Sequence, residues 1–400
     1  MTNILVANVG STSLKFQLIR FPEEKSLAWG RFEKIGSQDA ILSWTCGGES
    51  GSTVEPLADY PAAIGRMIRL LTSGSSPVIS GLDEISAAGF KTVIAKGFDG
   101  CVRITDSVLK GMEEYAFLAP AHNPPYVKAI RLFHEAMPDT PLVGLFEPAF
   151  HATMPEYARV YAVPKEWRDR HGIRRYGYHG ASHRYISERT PALLNLPKEQ
   201  VNVISCHLGG SSSICAIRGG KSIDTSMGFS PQSGLFHGTR NGDLDPFAVL
   251  YVMQQENLSI DEVVCLLTKR SGFLGLSGVS ADVRDIEKAE AEGDTDAHLA
   301  LEAFCYDVKK TIGGFLAVLG RLDALVFTGG IGERGVDVRR RICAGLEPLG
   351  IVLDDRRNAE QSGKEGRIGS NESRTAIWVI PTNEELIVAR ATVELLNARE

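Results

Sequence analysis

What this chain lacks narrows its class first. No apolar run among its 400 residues reaches the roughly 20 needed for a membrane-spanning helix, so no membrane partner is expected. Positive charge is not in surplus either: 43 Lys and Arg stand against 49 Asp and Glu, a formal net charge of -6. Without a lysine or arginine stripe, nucleic acid is not an expected partner. The seven cysteines are odd in number, scattered, and show no C-x-x-C spacing. That argues against a disulfide framework and a zinc ribbon, and it predicts reduced, mostly buried thiols. Met1-Thr2-Asn3 runs into an apolar stretch without the segments of a signal peptide, so a cytoplasmic protein is expected.

What is present is a globular composition, 43% hydrophobic and 23% charged, on a chain too long for one ordinary core. Two domains are the natural prior. Near the start, Asn8-Val9-Gly10-Ser11-Thr12-Ser13-Leu14-Lys15 lies between the apolar runs Ile4 to Ala7 and Leu14 to Leu18. The pattern reads as strand, tight polar turn, strand. Its glycine lets the backbone approach a ligand closely, and its N-H and hydroxyl groups suit phosphate oxygens. The same pattern returns at an offset of 199, in Val203 to Ile217, where Gly209 matches Gly10 and Ser212 matches Ser13. Two unrelated Gly-Ser hairpins would look similar; two facing halves that share a phosphate site would also produce the pattern.

Along the chain, Ala40 to Trp44 reads as a strand, and Tyr60 to Leu71 as a helix with Ile64, Met67, Ile68 and Leu71 on one face. Ile85 to Ile94 reads as strand into loop. A helix is expected from Asp106, as N-cap, to Ala116. The prolines of Pro120 to Pro125 predict a rigid loop without regular structure. Leu142 to Phe146 reads as a buried strand, with a domain boundary just beyond it and a new strand around Val160 to Val163. Helices are expected at Ser182 to Leu193, Phe247 to Gln255, Ile260 to Thr268 and Ala297 to Leu319. The apolar stripe of the last is Leu299, Phe304, Val308, Ile312, Phe315 and Leu319. Asp224 to Pro246 is a long Gly-, Ser- and Thr-rich connection of the kind that is either functional or disordered. Ala324 to Phe327 reads as a strand feeding a glycine turn and a helix to about Leu346, an order that holds nucleotide groups at a helix N-terminus. Ala376 to Ile380 is a strand, and Thr382 with Glu385 forms a capping box for the last helix.

Phosphoryl transfer needs cationic donors, backbone donors and a metal around a spreading negative charge. Asn8, Lys15, Lys91, His122, Glu147, His179, His207, Arg240, Asp282, Arg284 and Glu384 fall in Gly- and Pro-rich turns where neither core packing nor helix solvation demands them.

Together with these residues, a set of motifs in fixed order resembles the acetate kinase family over essentially the whole length. They are Asn8 to Lys15, Ala119-Pro120-Ala121-His122-Asn123-Pro124, Ala149 to Pro155, Arg174 to His183, Asp224 to Phe229, Gly238 to Pro246, Ser271 to Ser277, Phe327 to Glu333 and Pro381 to Glu385. The resemblance implies an α/β fold of two similar ribonuclease H-like (actin-like ATPase) domains, in the sugar kinase, Hsp70 and actin superfamily, with a cleft between them. Residues 1–147 with a returning helix at 381–400 would form one domain, and 148–380 the other, which carries the nucleotide. The implied activity is reversible transfer of the γ-phosphoryl of ATP to a short carboxylate, with Mg²⁺ and in a homodimer.

Position by position, the resemblance implies that Asn8 and Glu384 hold Mg²⁺. It places Lys15, His207, Leu208, Gly209, Gly210 and Ser211 at the nucleotide phosphates. Asp282, Val283, Arg284, Gly330, Ile331, Gly332, Glu333 and Arg334 fall on the adenosine side. His179 and Arg240, with His122 beside them, would stabilise the transition state, which makes sense for transfer between two anionic oxygens. Glu147 stands where the family has a catalytic aspartate. The acceptor would lie against Lys91, Val93, Ala121, Tyr178 and Pro231.

Several of these positions depart from the family pattern. Lys91 replaces a substrate-binding arginine, keeping the charge but losing the planar fork. Glu147 is one methylene longer than aspartate, and Gly210 replaces an asparagine. Ala121 and Tyr178 stand for leucine and phenylalanine, which predicts a reshaped acid pocket, roomier on one side and more polar on the other. An ATP-dependent carboxylate kinase is the first reading. A nucleotide-binding paralogue with little acyl transfer, acting as a regulator, is the alternative that Lys91 and Glu147 suggest. A kinase for a larger or hydroxylated acid is the reading that Ala121 and Tyr178 suggest. Gly330 and Ile331 keep the adenosine-side pattern and favour ATP over pyrophosphate.

Overall fold

The computed structural model describes residues 1–10, 12–120 and 122–398. Two compact units emerge: one from Met1–Ala149 together with the segment from Asn383 onward, the other Phe150–Thr382.

The first unit is built on eight strands: β1 (Thr2–Val9), β2 (Ser13–Phe21), β3 (Lys25–Glu33), β4 (Ser37–Cys46), β5 (Glu49–Leu57), β6 (Ala87–Thr92), β7 (Cys101–Arg103) and β8 (Leu142–Phe146), in the order β5-β4-β3-β2-β1-β6-β8-β7. β1 runs antiparallel to β2 but parallel to β6, and β6 is parallel to β8. Ile4 to Ala7 are fully buried, as a central strand requires. The helix Tyr60–Ser73 buries Ile64, Met67 and Leu71, and Asp59 caps it through its side chain. The last helix, Glu384–Asn397, packs on β1 and β6. It lies so close that a Cβ on Gly89 would come within 2.8 Å of Thr392 Oγ1.

The second unit has six strands: β9 (Asn202–His207), β10 (Ser213–Arg218), β11 (Lys221–Thr225), β12 (Ala324–Thr328), β13 (Gly366–Arg367) and β14 (Ala376–Val379), ordered β11-β10-β9-β12-β14-β13. Again an antiparallel hairpin, β9 with β10, leads to two parallel neighbours, β12 and β14. The repeat seen in the sequence is therefore a repeat of topology. In the turns, Gly10 N donates to Ser13 O at 2.8 Å, and Gly209 N donates to Ser212 Oγ at 3.2 Å. The helix Thr295–Leu319 buries Phe304, Val308, Ile312, Phe315 and Leu319 against this sheet.

Several expectations need correction. Pro124 and Pro125 do not prevent regular structure; they fill the first turn of a helix, Asn123–Ala136, where the missing donors are not needed. Asp106 is the first residue of its helix, and Thr105 is the N-cap. Val160 to Val163 forms no strand. Leu299 is 55% exposed and stands off the buried stripe. The helix after β12 is broken at Gly335 into Gly329–Arg334 and Val336–Cys343. The final helix is capped by Asn383, whose side chain accepts from Leu386 N at 3.0 Å, and not by Thr382. Among the described residues no helix is long and apolar enough to cross a membrane.

Candidate functional site

In the first unit, chemistry collects at the carboxyl ends of the parallel strands, where chain leaving a sheet is free to bind. Lys91, near the end of β6, places Nζ 3.1 Å from Glu147 Oε1 and 2.8 Å from Glu384 Oε1. Glu147 follows β8 directly, and Glu384 opens the last helix. Burial alone would lower the lysine's pKa, but Glu147 and then Glu384 raise it well above its ordinary value. The ammonium is thus clasped between two carboxylates from distant parts of the chain. At the end of β1, Asn8 Oδ1 accepts from the Tyr126 hydroxyl at 2.8 Å. Burial pushes that phenol's pKa up, with Lys91 opposing. Lys15 sits opposite Asn8 in the β1–β2 register. Val93 is buried. His122 stands at the N-cap of the helix Asn123–Ala136. Ala121 lies outside the described residues.

Two residues that matter here were not singled out in the sequence. Asn123 Nδ2 donates to the carbonyls of Ile94 and Met112, at 2.9 and 2.8 Å, and so pins the loop beyond β6 to the proline turn. Tyr126 orients Asn8. Both belong to Asn123-Pro124-Pro125-Tyr126, and reading those prolines as a helix start would have turned attention to them.

As oxygen donors, Asn8 and Glu384 suit Mg²⁺, which needs only one or two protein ligands when phosphate oxygens and water complete its octahedron. The cation already lying against Glu384, the Lys91 ammonium, shows that this carboxylate is placed to receive positive charge. No cluster of three or more His, Cys, Asp or Glu suited to a metal occurs among the described residues.

In the second unit, histidines gather around β9 and β10. His179 adopts a left-handed backbone, φ 57°, at the start of the helix Gly180–Leu194. Its ring stacks on His207, with centroids 4.1 Å apart and planes 25° apart. His179 Nδ1 lies 2.8 Å from Ser213 Oγ, and His207 Nδ1 lies 2.8 Å from Ser182 Oγ. Behind them His183 bridges Ser205 and Ser213 at 2.9 and 2.8 Å. His151 Nε2 donates to Tyr178 O at 3.0 Å, and burial depresses its pKa to about 4. Gly177, φ +77°, passes so close to His151 that a Cβ would lie 2.6 Å from the ring. Tyr178 is buried, and its hydroxyl donates to Phe229 O at 2.7 Å.

Arg240 donates to the Pro231 carbonyl, and among the described residues no carboxylate pairs with it. Burial lowers its pKa to about 10, which still leaves it charged at neutral pH. A sheltered guanidinium without a protein anion suits an anionic ligand. His237, absent from the sequence-derived set, is fully buried and accepts Ser212 N-H on Nδ1 at 2.9 Å, fixing the β9–β10 turn from behind.

A recess of about 640 Å³ in this unit is lined by Gly209, Gly210, Asp282, Val283, Arg284, Gly330, Ile331 and Arg334, with Ser280, Ala281, Glu287 and Gly335. The volume lies within the usual range for small-molecule sites. Asp282 caps the helix Val283–Ala291 and also binds the Arg284 guanidinium at 2.6 Å. A Cβ on Gly210 or Gly330 would meet nothing within 4 Å, so the floor is open there. Ser211 is not among the residues lining the recess. His207, Leu208, Gly332 and Glu333 also do not line it. Leu208 O instead accepts from Ile331 N and Gly332 N at 2.8 and 3.0 Å, and Glu333 Oε1 accepts from Gly329 N at 3.0 Å. Leu208, Gly332 and Glu333 thus support the turn from behind, while His207 faces Ser182 and His179.

Comparison with known proteins gives the chain's family. The family model described as the acetokinase family matches residues 3–390. An acetate kinase of Shouchella clausii is 44% identical over 398 residues, covering 99% of this chain and 100% of that protein. One from Geobacillus kaustophilus is 45% identical over 399 residues, covering 99% and 100%. Among solved structures, the acetate kinase of Porphyromonas gingivalis superimposes with a TM-score of 0.87 at 38% identity, covering 99% of this chain and 100% of that one. A propionate kinase from Francisella tularensis gives 0.88 at 37% identity, covering 98% and 99%. The two sheets with their shared topology are the two actin-like ATPase-fold domains of those structures, and the chain belongs to the acetokinase family.

Proposed function

We propose that this enzyme transfers the γ-phosphoryl group of ATP to a short-chain carboxylate, acetate or a close relative such as propionate, giving an acyl phosphate in a reversible, direct in-line step. The observation that carries the reading is Arg240, a sheltered guanidinium with no carboxylate partner among the described residues, in the same unit as the recess between Gly210 and Gly330. In such a transfer, charge spreads over the equatorial oxygens of the moving group, so preorganised cationic and N-H donors lower the barrier. Arg240 and His179 take that role, with His122 assisting. The recess takes the nucleoside, with Asp282 to Arg284 on one wall and Gly330, Ile331 and Arg334 on the other. Lys15 and the β9–β10 turn approach the phosphates.

Asn8 and Glu384 hold Mg²⁺, which supplies charge neutralisation on the nucleotide phosphates. Lys91 orients the acceptor carboxylate by charge, with Glu147 beside it. The acceptor is already a nucleophile, so no strong base is needed. Val93, Tyr178 and Pro231 are the described residues assigned to bound the acyl group. No feature favours a regulator without catalysis, since Lys91 and Glu147 retain the charges of the residues they replace. We place the reaction in the cytoplasm and the enzyme in a homodimer. The helix Pro246–Glu256 supports the dimer, because it buries none of its residues yet carries Phe247, Leu250 and Tyr251 exposed at 75, 56 and 64%.

The test is purified protein with ATP, Mg²⁺ and hydroxylamine, offered acetate, propionate, butyrate and a hydroxy acid in turn. Acyl hydroxamate is expected from acetate or propionate. Its absence with every acid would defeat the reading, and a clear preference for the hydroxy acid would replace the acceptor.

A further inference from the structure

We propose that Ser205, His183 and Ser213 form a one-way hydrogen-bond chain that holds His179 as a neutral imidazole with its proton on Nε2, so that the ring donates without carrying charge. The proposal deepens the reading of His179 as a donor to the transferring phosphoryl group, and rests on it.

The direction follows from counting hydrogens. Ser205 lies in the interior of β9, fully buried, and among the described residues its hydroxyl has one partner, His183 Nδ1 at 2.9 Å. If that nitrogen carried a proton, Ser205 would have to accept, and its own hydrogen would be left without an acceptor in a place water does not reach. Ser205 therefore donates, and His183 Nδ1 accepts. His183 is itself fully buried, and burial depresses its pKa well below the ordinary value, so it is neutral. Its proton then sits on Nε2 and goes to Ser213 Oγ at 2.8 Å. Ser213, also fully buried, now has its hydrogen left for its second partner, His179 Nδ1 at 2.8 Å. His179 must accept there, and so its proton is on Nε2.

The stacked neighbour obeys the same rule. Ser182 is fully buried, and His207 Nδ1 at 2.8 Å is its hydroxyl's one partner; it donates, and His207 keeps its proton on Nε2. Two rings stacked at 4.1 Å are more compatible with neutral forms than with two cations. Elsewhere in the unit, the same tautomer is enforced by backbone groups: His151 Nε2 faces the Tyr178 carbonyl, and His237 Nδ1 faces the Ser212 N-H. Ser205, His183 and Ser213 act through His179 and are positioning residues. Without them the ring could turn a lone pair, where a proton is needed, toward an anionic oxygen.

The experiment is a two-bond nitrogen–hydrogen correlation spectrum of the full chain with ¹⁵N-labelled histidine rings, His179 being assigned from H179Q. The expected result at neutral pH is an Nε2-H tautomer for His179. In Ser213→Ala the expected spectrum shows exchange between both tautomers, kcat falls about tenfold or more with both KM values little changed, and Ser213→Thr, which keeps the hydroxyl, restores both readouts. Should Ser213→Ala fail to fold, Ser205→Ala removes the donor that sets the direction, and the same mixing is expected. An Nδ1-H tautomer or an imidazolium in the unmodified protein overturns the proposal. So does a folded Ser213→Ala or Ser205→Ala variant whose His179 stays wholly Nε2-H. If the chain holds the tautomer but no acid yields an acyl phosphate, the kinase reading fails instead.

Discussion

Lys91 joins three distant parts of the chain in one ionic cluster. Its ammonium reaches Glu147 and Glu384 together, at 3.1 and 2.8 Å, as a compact point charge between two acceptors. Removing one member of a buried ionic cluster leaves the others uncompensated, a loss of about 3–5 kcal/mol. Lys91→Met is therefore expected to lower the melting temperature measured without Mg²⁺, and to raise KM for the carboxylate far more than KM for ATP. Lys91→Arg combined with Glu147→Asp should keep the fold and raise an existing activity only modestly. A Lys91→Met protein with unchanged melting and unchanged carboxylate KM would show that the clasp contributes nothing. Lys91, Glu147 and Glu384 were each singled out in the sequence, but the clasp they form was not. Its partners lie 56 and 293 positions along the chain, as 147 minus 91 and as the Lys91 to Glu384 separation, and no local pattern encodes such a meeting.

At the scale of elements, the turn after β12 separates structural glycines from functional ones. Gly329 has φ +75°, and a Cβ there would lie 2.7 Å from Leu208 O. A side chain at that position costs about 1–2 kcal/mol from the left-handed backbone alone, before the clash. Gly330 is next in sequence, yet its Cβ would enter open space in the recess it lines. Gly330→Ala is expected to melt like the parent and to raise KM for ATP by about tenfold, whereas Gly329→Ala should melt lower. Equal melting losses in the two variants would contradict the distinction. Strands and striped helices could be read because burial periodicity is local: Ile64, Met67 and Leu71 announce their helix, and Ile4 to Ala7 their strand. The errors came where chemistry has two local solutions. Pro124 and Pro125 can break a helix or begin one. Thr382 and Asn383 can both cap, and only the fold of the preceding turn makes Asn383 the cap. That Lys91, Glu147 and Glu384 meet, and that Gly210, Asp282 and Gly330 line one recess, involves residues already singled out because they sit in short ordered motifs. Tyr126, His237 and the serines behind the histidines were not, since a buried hydrogen-bonding side chain looks like any core or strand residue until its partner is known.

For the whole molecule, the apolar helix Pro246–Glu256 belongs to the second unit, and its exposed face predicts association through that unit. Phe247→Asp with Tyr251→Glu should convert a dimer into a monomer in light scattering, with the recess residues untouched. A protein that is monomeric before substitution would refute this interface. The first unit carries a different kind of long-range dependence. Arg390 in the last helix grips Glu24, just beyond β2, through two bonds of 2.6 and 2.7 Å. The helix that bears it covers β1 and β6. On the ribosome, then, β1 and β6 wait for a helix made only after the whole of the second unit, which has every one of its residues in hand earlier. The order of synthesis is thereby reversed in the order of completion: the unit begun second can be finished first, and the carboxylate clasp on Lys91 closes only when the helix that brings Glu384 arrives.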